Sequence, residues 1–196
     1  EYQYGLTGTF ALMVGFAIGL PPLWNIESGE SRVGVFGLMD QGSNNGRGII
    51  PAPPTAWSRI YAGWEAPVEP DFTSEMYLPL RDDGNILKIP ITDQEYYLIE
   101  NRSNHVRPGV SIDSIRYLIG TMSNSGTYPS YSEILQDSSG IEKDINGVVI
   151  SVPNYDIGLP ASGILIWHID SAIISSSIDG YGINHDIQSM GIDLEA

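Results

Sequence analysis

An uninterrupted apolar run, from Phe10 to Leu20, is the feature that most constrains how this chain folds. Its length falls short of the roughly 20 apolar residues that a membrane-spanning helix needs. The core of a signal peptide has this length, but residues 1–9 contain no Lys or Arg, so the basic segment of a signal peptide is missing. The run therefore predicts a buried helix that is apolar on all sides because protein surrounds it.

Prolines bound two predicted helices. The first is expected to be capped by Thr7 or Thr9 and to run to about Leu20, where Pro21 and Pro22 stop it. The second is expected over residues 55–64, after another proline-rich segment and with Thr55 as its cap. Four large residues of this second helix fall on one face at helical spacing: Trp57, Ile60, Tyr61 and Trp64.

The remainder of the chain is typical of short strands, which are rich in β-branched and aromatic residues and are bounded by Gly, Pro, Asn or Asp. A hairpin turn is predicted at Asp82–Asn85, and the polar stretch Thr121–Gly140 is predicted to be a surface excursion. The predicted strands are Glu75–Leu80, Ile86–Ile91, Glu95–Asn101, Ser114–Ile119, Gly147–Val152 and Gly163–Asp170. The pattern predicts an α+β fold in which both helices pack on a mostly antiparallel, β-rich remainder.

Charge and cysteine content exclude several functions. With 9 Lys+Arg against 24 Asp+Glu, the net charge is -15, so the chain cannot neutralise the phosphates of a nucleic acid and is not suited to an anionic membrane surface. This balance fits an extracellular protein that meets divalent cations or basic partners. There is no cysteine, which excludes disulfides, thiolate metal sites and cysteine nucleophiles.

Several isolated polar residues have a functional and a structural interpretation. His105, His168 and His185 are not at helical spacing, and His168, at the end of an apolar strand, is expected to be a buried structural residue. Asn101 begins a glycosylation sequon, but its position in a predicted strand favours a structural role. Tyr128, in the polar excursion together with Tyr131, is a candidate for a binding surface.

An oxygen-rich segment, Asp40–Gly46, is a candidate for calcium. It does not match an EF-hand loop, because the twelfth position counted from Asp40 is Pro51 and not Glu. The favoured interpretation is a solvated turn, with calcium as the alternative.

The apolar run can be aligned with the zinc helix H-E-x-x-H-x-x-G. In that motif two histidines at positions i and i+4 bind zinc from one helix face, and the adjacent Glu polarises the metal-bound water. Here Leu12 and Phe16 stand at the two His positions, and Met13 stands at the Glu position. Gly19 keeps the glycine of the motif, and Pro22 lies where a third ligand is expected. Leu and Phe have no lone pair for a metal.

Six further segments occur in order and, together with this helix, closely resemble the immune-inhibitor-A type family of secreted, mainly bacterial, zinc metallopeptidases. They are Leu23–Gly29, Gly34–Asp40, Gly46–Pro54, Ala56–Trp64, Tyr97–Arg102 and Gly163–Asp170. The resemblance spans nearly the whole chain, with residues 103–146 the least alike. It implies that Met39 is the methionine of the Met-turn beneath the zinc, and that the chain is a part of a longer secreted protein.

The resemblance and the lost ligands together predict one degenerate metallopeptidase-like domain over residues 1–196. Residues 1–66 are expected to be the remnant of the zinc-helix and Met-turn region, and residues 67–196 the β-rich part. No zinc and no catalytic residue is expected, and Leu12, Met13 and Phe16 are expected to be buried above Met39. The predicted function is a non-catalytic extracellular structural or binding module with a protein partner or self-assembly. The alternative is an active secreted zinc metallopeptidase, if residues 12, 13 and 16 are mutated or misassigned.

Overall fold

A four-stranded antiparallel sheet forms the centre of an α+β fold, which confirms the predicted fold class. The computed structural model describes residues 5–71, 73, 75, 77–79, 86–107, 109–111, 114–115, 117–118, 121, 142–146, 149–152 and 154–195. The α-helices whose bounds lie in this part of the chain are α1 (Thr7–Ala17), α2 (Asn45–Gly48), α3 (Ala56–Tyr61) and α4 (Ser171–Ser177), and the described residues between 114 and 121 are also helical. The strands are β1 (Leu87–Pro90), β2 (Glu95–Arg102), β3 (His105–Arg107), β4 (Val110–Ser111), β5 (Glu142–Lys143), β6 (Val149–Ser151), β7 (Gly163–Asp170) and β8 (Ile192–Leu194).

The central sheet has the order β1-β2-β7-β8, and every neighbouring pair is antiparallel. The longest pairing joins β2 and β7 over eight residues, from Glu95 opposite Asp170 to Arg102 opposite Gly163. Smaller two-stranded sheets are formed by β3 with β4 and by β5 with β6. Strand predictions that coincide with β1, β2, β6 and β7 are therefore confirmed.

One face of the central sheet covers the main core. Because side chains alternate along a strand, Leu98, Trp167, Ile169 and Ile192 all lie on this face, where they are fully buried. Burial of each such side chain stabilises the fold by roughly 1.5–3 kcal/mol. The core continues into the first third of the chain through Leu20, Leu23, Val33, Leu38, Met39, Ala56 and Trp57.

Helix α1 packs through its glycines together with Leu12 and Phe16, while its other large apolar residues are exposed. Gly8 and Gly15, seven residues apart on one face, are its buried positions. A Cβ at Gly8 would overlap the carbonyl oxygen of Ser43, and a Cβ at Gly15 would lie 2.6 Å from Met39 Sδ. The helix backbone therefore rests directly on the segment 39–43, while most of its large side chains are exposed. The prediction of a helix surrounded by protein is wrong, since an apolar composition does not specify which face the neighbours cover.

The ends of α1 also differ from the prediction. Leu6 stands at the N-cap, and no side chain caps the first turn, so neither Thr7 nor Thr9 is the cap. The helix ends at Ala17, three residues before Leu20, because Gly19 adopts a left-handed conformation with φ of 93°. By contrast, the predicted cap of α3 is confirmed: Thr55 Oγ1 accepts a hydrogen bond from the Ser58 amide at 3.2 Å.

Side-chain hydrogen bonds explain two helices that the strand pattern did not predict. The described residues between 114 and 121 are helical, so the predicted strand Ser114–Ile119 is wrong. Ser111 Oγ accepts a hydrogen bond from the Ser114 amide and so caps this helix. Helix α4 follows β7 directly, because Asp170 Oδ1 accepts hydrogen bonds from the Ala172 and Ile173 amides.

Two other predictions fall on partly described segments. Residues 75 and 77–79 form no strand, although Glu75–Leu80 was predicted to be one. The predicted hairpin turn Asp82–Asn85 lies outside the described residues, as do Tyr128 and Tyr131 and all but the first residue of the polar excursion. Among the residues described, no helix is long and apolar enough to cross a membrane.

We expect Gly8→Ala to lower the free energy of unfolding by about 1–3 kcal/mol, the usual cost of forcing an extra methyl group into a packed contact. The loss should appear although Ala favours helix by about 1 kcal/mol over Gly. The reason is that the new Cβ meets backbone at Ser43, which cannot rotate away. Gly180→Ala is the control, because a Cβ there meets nothing within 4 Å. Urea denaturation of both variants measures the difference, and equal midpoints would contradict the close approach of α1.

Candidate functional site

The three residues at the zinc-ligand and Glu positions of α1 have different surroundings. Leu12 and Phe16 are half-buried and pack against the main core. The Phe16 ring meets the Trp24 ring edge-to-face, with centroids 5.8 Å apart. Met13 is 61% exposed, so the prediction that all three are buried is wrong for Met13 and only partly right for the other two. Successive helix residues point about 100° apart, which is why Leu12 reaches the core while Met13 does not.

Met39 lies directly beneath α1, as expected. Its side chain is fully buried, and its sulfur approaches the helix at Gly15. The carbonyl oxygen of Met39 accepts a hydrogen bond from the Leu23 amide at 2.9 Å, which ties the segment after α1 to this turn. Pro21 and Pro22 are buried in that segment. The position of Pro22 therefore offers a buried ring and no ligand atom.

The described residues contain no group of three or more His, Cys, Asp or Glu side chains that could hold a metal ion. The histidines lie on separate elements: His105 is exposed on β3, and His185 Nε2 lies 3.4 Å from Glu27 Oε2 at the surface. His168 Nε2 lies 3.4 Å from Glu95 Oε2, and its ring packs on Tyr97. His168 is half-buried on the outer face of the sheet, so the expectation of a buried histidine is corrected.

The segment that begins at Asp40 is held by protein donors. Asp40 is buried, and its Oδ2 accepts hydrogen bonds from Ser31 Oγ and from the amides of residues 32, 33 and 34 at 2.8–3.0 Å. Its Oδ1 accepts a fifth hydrogen bond, from the Gln41 amide at 2.8 Å. Five donors occupy the acceptor sites of one carboxylate. The solvated-turn interpretation is therefore wrong for Asp40, whose carboxylate orders two loops.

Asn101 has the structural role that its strand position predicted. Its Nδ2 donates a hydrogen bond to the Leu78 carbonyl oxygen at 3.1 Å. The other two residues of the sequon, Arg102 and Ser103, are buried. Among the tryptophans, Trp57 and Trp167 are buried, whereas Trp64 is exposed and lies beyond the end of α3.

A buried network of charged side chains, which the motifs did not indicate, lies on the core face of the sheet, beside the apolar side chains. The Glu100 carboxylate accepts hydrogen bonds from Arg59 Nη2 at 2.7 Å, Arg102 Nη1 at 3.2 Å and Trp167 Nε1 at 2.9 Å. Arg102 also donates two hydrogen bonds to Asp156, at 2.8 and 2.7 Å. The signal in the sequence was the position of Glu100 and Arg102, which alternate in step with the buried Leu98 along the strand.

Electrostatics fix the charge state of this network. Burial by itself would raise the pKa of the Glu100 carboxyl, but the Arg102 and Arg59 charges and the hydrogen bonds from Arg59 and Trp167 outweigh it. The pKa of Glu100 therefore lies below its ordinary value. Burial likewise would lower the pKa of Arg102, and the charges and hydrogen bonds of Glu100 and Asp156 raise it instead. The network is an ionised structural element that joins α3, β2, β7 and the turn at Asp156.

Comparison with known proteins finds no relative of this chain. No family model matches the chain, and neither the curated proteins nor the solved structures contain a match. The resemblance to secreted zinc metallopeptidases therefore stays a prediction that depends on the motifs of this sequence.

We expect Glu100→Gln to destabilise the protein by about 3–5 kcal/mol, the cost of removing one partner from a buried ion pair. The substitution leaves the Arg59 guanidinium, which is buried, without its carboxylate partner on β2. Glu95→Gln, on the same strand but 40% exposed at its side chain, is the matched control and should cost no more than about 1 kcal/mol. Chemical denaturation monitored by tryptophan fluorescence measures both. Equal losses would contradict a special role for the network.

Acidification should weaken the fold through the same carboxyl group. A group whose pKa is lower in the folded than in the unfolded chain contributes stability that is present above its ordinary pKa, here 4.5, and is lost as the pH falls through the folded-state value. Thermal melting at a series of pH values should show the melting temperature falling below pH 4.5. This fall should be shallower in Glu100→Gln. A parallel pH dependence in both proteins would mean that other carboxylates govern acid unfolding.

Proposed function

We propose that this chain is a non-catalytic extracellular module, structural or binding, that descends from a zinc metallopeptidase and acts through its surface, by self-assembly or by binding a protein partner. The observation that carries the proposal is the replacement of the zinc-helix chemistry by core packing. Leu12 and Phe16 stand where two imidazoles would be needed, and both side chains contribute to the main core. Phe16 is additionally held by the edge-to-face contact with Trp24.

The chemistry of the neighbouring positions supports the same conclusion. The thioether of Met13 cannot act as the general base that the motif's Glu provides, and a thioether is a soft ligand that suits copper(I) better than zinc. Pro22 brings no ligand atom to the place of a third ligand. Without a metal no water is polarised, so the nucleophile that attacks the peptide bond in a zinc peptidase cannot form.

The packing and hydrogen bonding around the former zinc position are nevertheless intact, which supports a function that requires only the folded domain. Met39 still fills the space beneath α1. Asp40 orders its neighbouring loops with five hydrogen bonds, and the charged network on the core face of the sheet is paired. A domain that keeps such interactions after losing its chemistry is suited to a scaffold or a recognition surface.

The proposal is tested by metal content and by proteolysis. The purified protein is expected to carry no stoichiometric zinc and to cleave neither casein nor gelatin. The triple variant Leu12→His, Met13→Glu and Phe16→His is also expected to be inactive, because Pro22 still supplies no third ligand and Met13 faces solvent. Elemental analysis and a casein assay with and without chelator make the measurement. One zinc per chain with chelator-sensitive cleavage in the unmodified protein would establish the active peptidase instead.

A further inference from the structure

Helix α1 presents a continuous apolar surface to solvent. The α1 face consists of Leu6, Phe10, Met13, Val14, Ala17 and Ile18. Its five large side chains are each between 54% and 65% exposed. Contiguous apolar patches of this kind are uncommon on soluble monomers and mark interaction sites. The face exists because α1 turns its glycines, together with Leu12 and Phe16, toward the rest of the fold.

The α1 face lies in the longest uncharged stretch of a strongly acidic chain. No charged residue occurs between Gly5 and Ile26, so all 9 basic and 24 acidic residues lie elsewhere. With a net charge of -15, two copies repel each other wherever carboxylates meet. The residues of the α1 face themselves bring no carboxylate into a contact between copies. Charge therefore permits contact between copies at this face.

The spacing of the face fits another helix. Leu6, Phe10, Met13 and Ala17 follow one another at intervals of four, three and four residues, the seam along which two helices pack at a small crossing angle. In an antiparallel pair the two helix dipoles oppose each other favourably. In a two-fold dimer a surface contacts its own copy, so it has to be complementary to itself. The α1 face, which has no charged residue, meets this condition.

The exposed area is sufficient for a weak dimer. Five large side chains that are more than half exposed present on the order of 500 Å² of apolar surface, at the upper end of patches found on monomers. Two copies would then bury about 1,000 Å², the lower limit for a specific interface. A lipid surface is a poorer occupant, because α1 has no Lys or Arg to form the basic face of a membrane-surface helix.

We propose that the α1 face is a homotypic interface on which the α1 helix of a second copy docks side by side. This inference rests on the proposed function, because a helix that carried a metal centre would have to leave Met13 and its neighbours open to substrate. It also specifies how copies associate: through apolar helix packing and not through cation bridges between carboxylates.

Sedimentation velocity over a range of protein concentrations tests the interface. The unmodified chain is expected to dimerise, more tightly as NaCl rises from about 20 mM to about 300 mM, because salt screens the repulsion between acidic copies. Chelator should have no effect. Phe10→Glu, which improves helix propensity but places two carboxylates in the seam, should raise the dissociation constant at least about tenfold. Ile187→Glu, at an equally exposed apolar residue outside α1, is the matched control and should dimerise like the unmodified chain.

Cross-linking gives a second measurement that needs no disruptive substitution. The chain has no cysteine, so Phe10→Cys, Met13→Cys and Val14→Cys each introduce a single thiol. At least one of them should form a covalent dimer under mild oxidation, because a disulfide requires Cα atoms within about 7 Å. Ile187→Cys should remain monomeric on a denaturing gel.

The proposal is overturned if the unmodified chain stays monomeric at high concentration, or if Phe10→Glu dimerises as tightly as the control. Dissociation by chelator would assign association to bridged carboxylates instead. Preferential binding to neutral phosphatidylcholine vesicles would assign the α1 face to lipid. Zinc content and casein cleavage, measured on the same preparation, separate the two proposals. A zinc-free, inactive monomer removes the interface alone, whereas chelator-sensitive cleavage removes the non-catalytic function on which it rests.

Discussion

The positions of α3, β2 and β7 relative to one another depend on the hydrogen bonds and ion pairs of the buried Glu100 carboxylate. It accepts hydrogen bonds from α3 through Arg59, from its own strand through Arg102, and from β7 through Trp167. An unpaired charge in this position would be very costly, so the carboxylate is tolerable only when all three partners are in place. The requirement makes the network specific: α3 can sit in one position on the sheet, and a change in the β2–β7 register would leave a buried ion without its partner. The hydrophobic core provides the larger share of the stabilisation, and the alternation of buried side chains along the strands also opposes a one-residue change of register.

Polar hubs of the same kind organise the loops that have no regular structure. Asp40 accepts hydrogen bonds from the Ser31 hydroxyl and from the amides of residues 32–34. Asn184 donates to the carbonyl oxygens of Leu23 and Ile192 and accepts from the Ile192 amide. Buried backbone groups must find partners, and in irregular segments a side chain has to supply them. The loop after α1 is thus joined to the edge strand β8 by one amide side chain. These hubs explain how a chain with many short elements and no disulfide still keeps its loops in place.

The sequence was a good guide to features that repeat along the chain and a poor one to features that depend on neighbours. Strands β2 and β7 were predictable because both are runs of β-branched and aromatic residues, and the cap at Thr55 was predictable because caps are local. The helix that begins near Ser114 was missed because one hydroxyl at Ser111 outweighs the strand propensity of the residues that follow. The exposure of one side of α1 was not predicted, because amino-acid composition does not specify which face of a helix the rest of the fold covers. The sequence did contain a signal for the buried face: Gly8 and Gly15, seven residues apart, lie on one side of the helix, away from the exposed large residues.

The pairing of β2 with β7 brings together residues far apart in the chain; Glu100 and Trp167, joined by one hydrogen bond, are separated by 67 positions. The entropic cost of closing so long a connection grows only with the logarithm of its length, by about 0.6 kcal/mol for each doubling. By this effect alone, a longer connection between the two strands costs the sheet little stability. Parts of the connection are nevertheless fixed by packing, since Asp156 pairs with Arg102 and Ile157 and Leu159 are buried. A new binding segment would therefore cost the least stability where it is inserted into the connection away from these contacts.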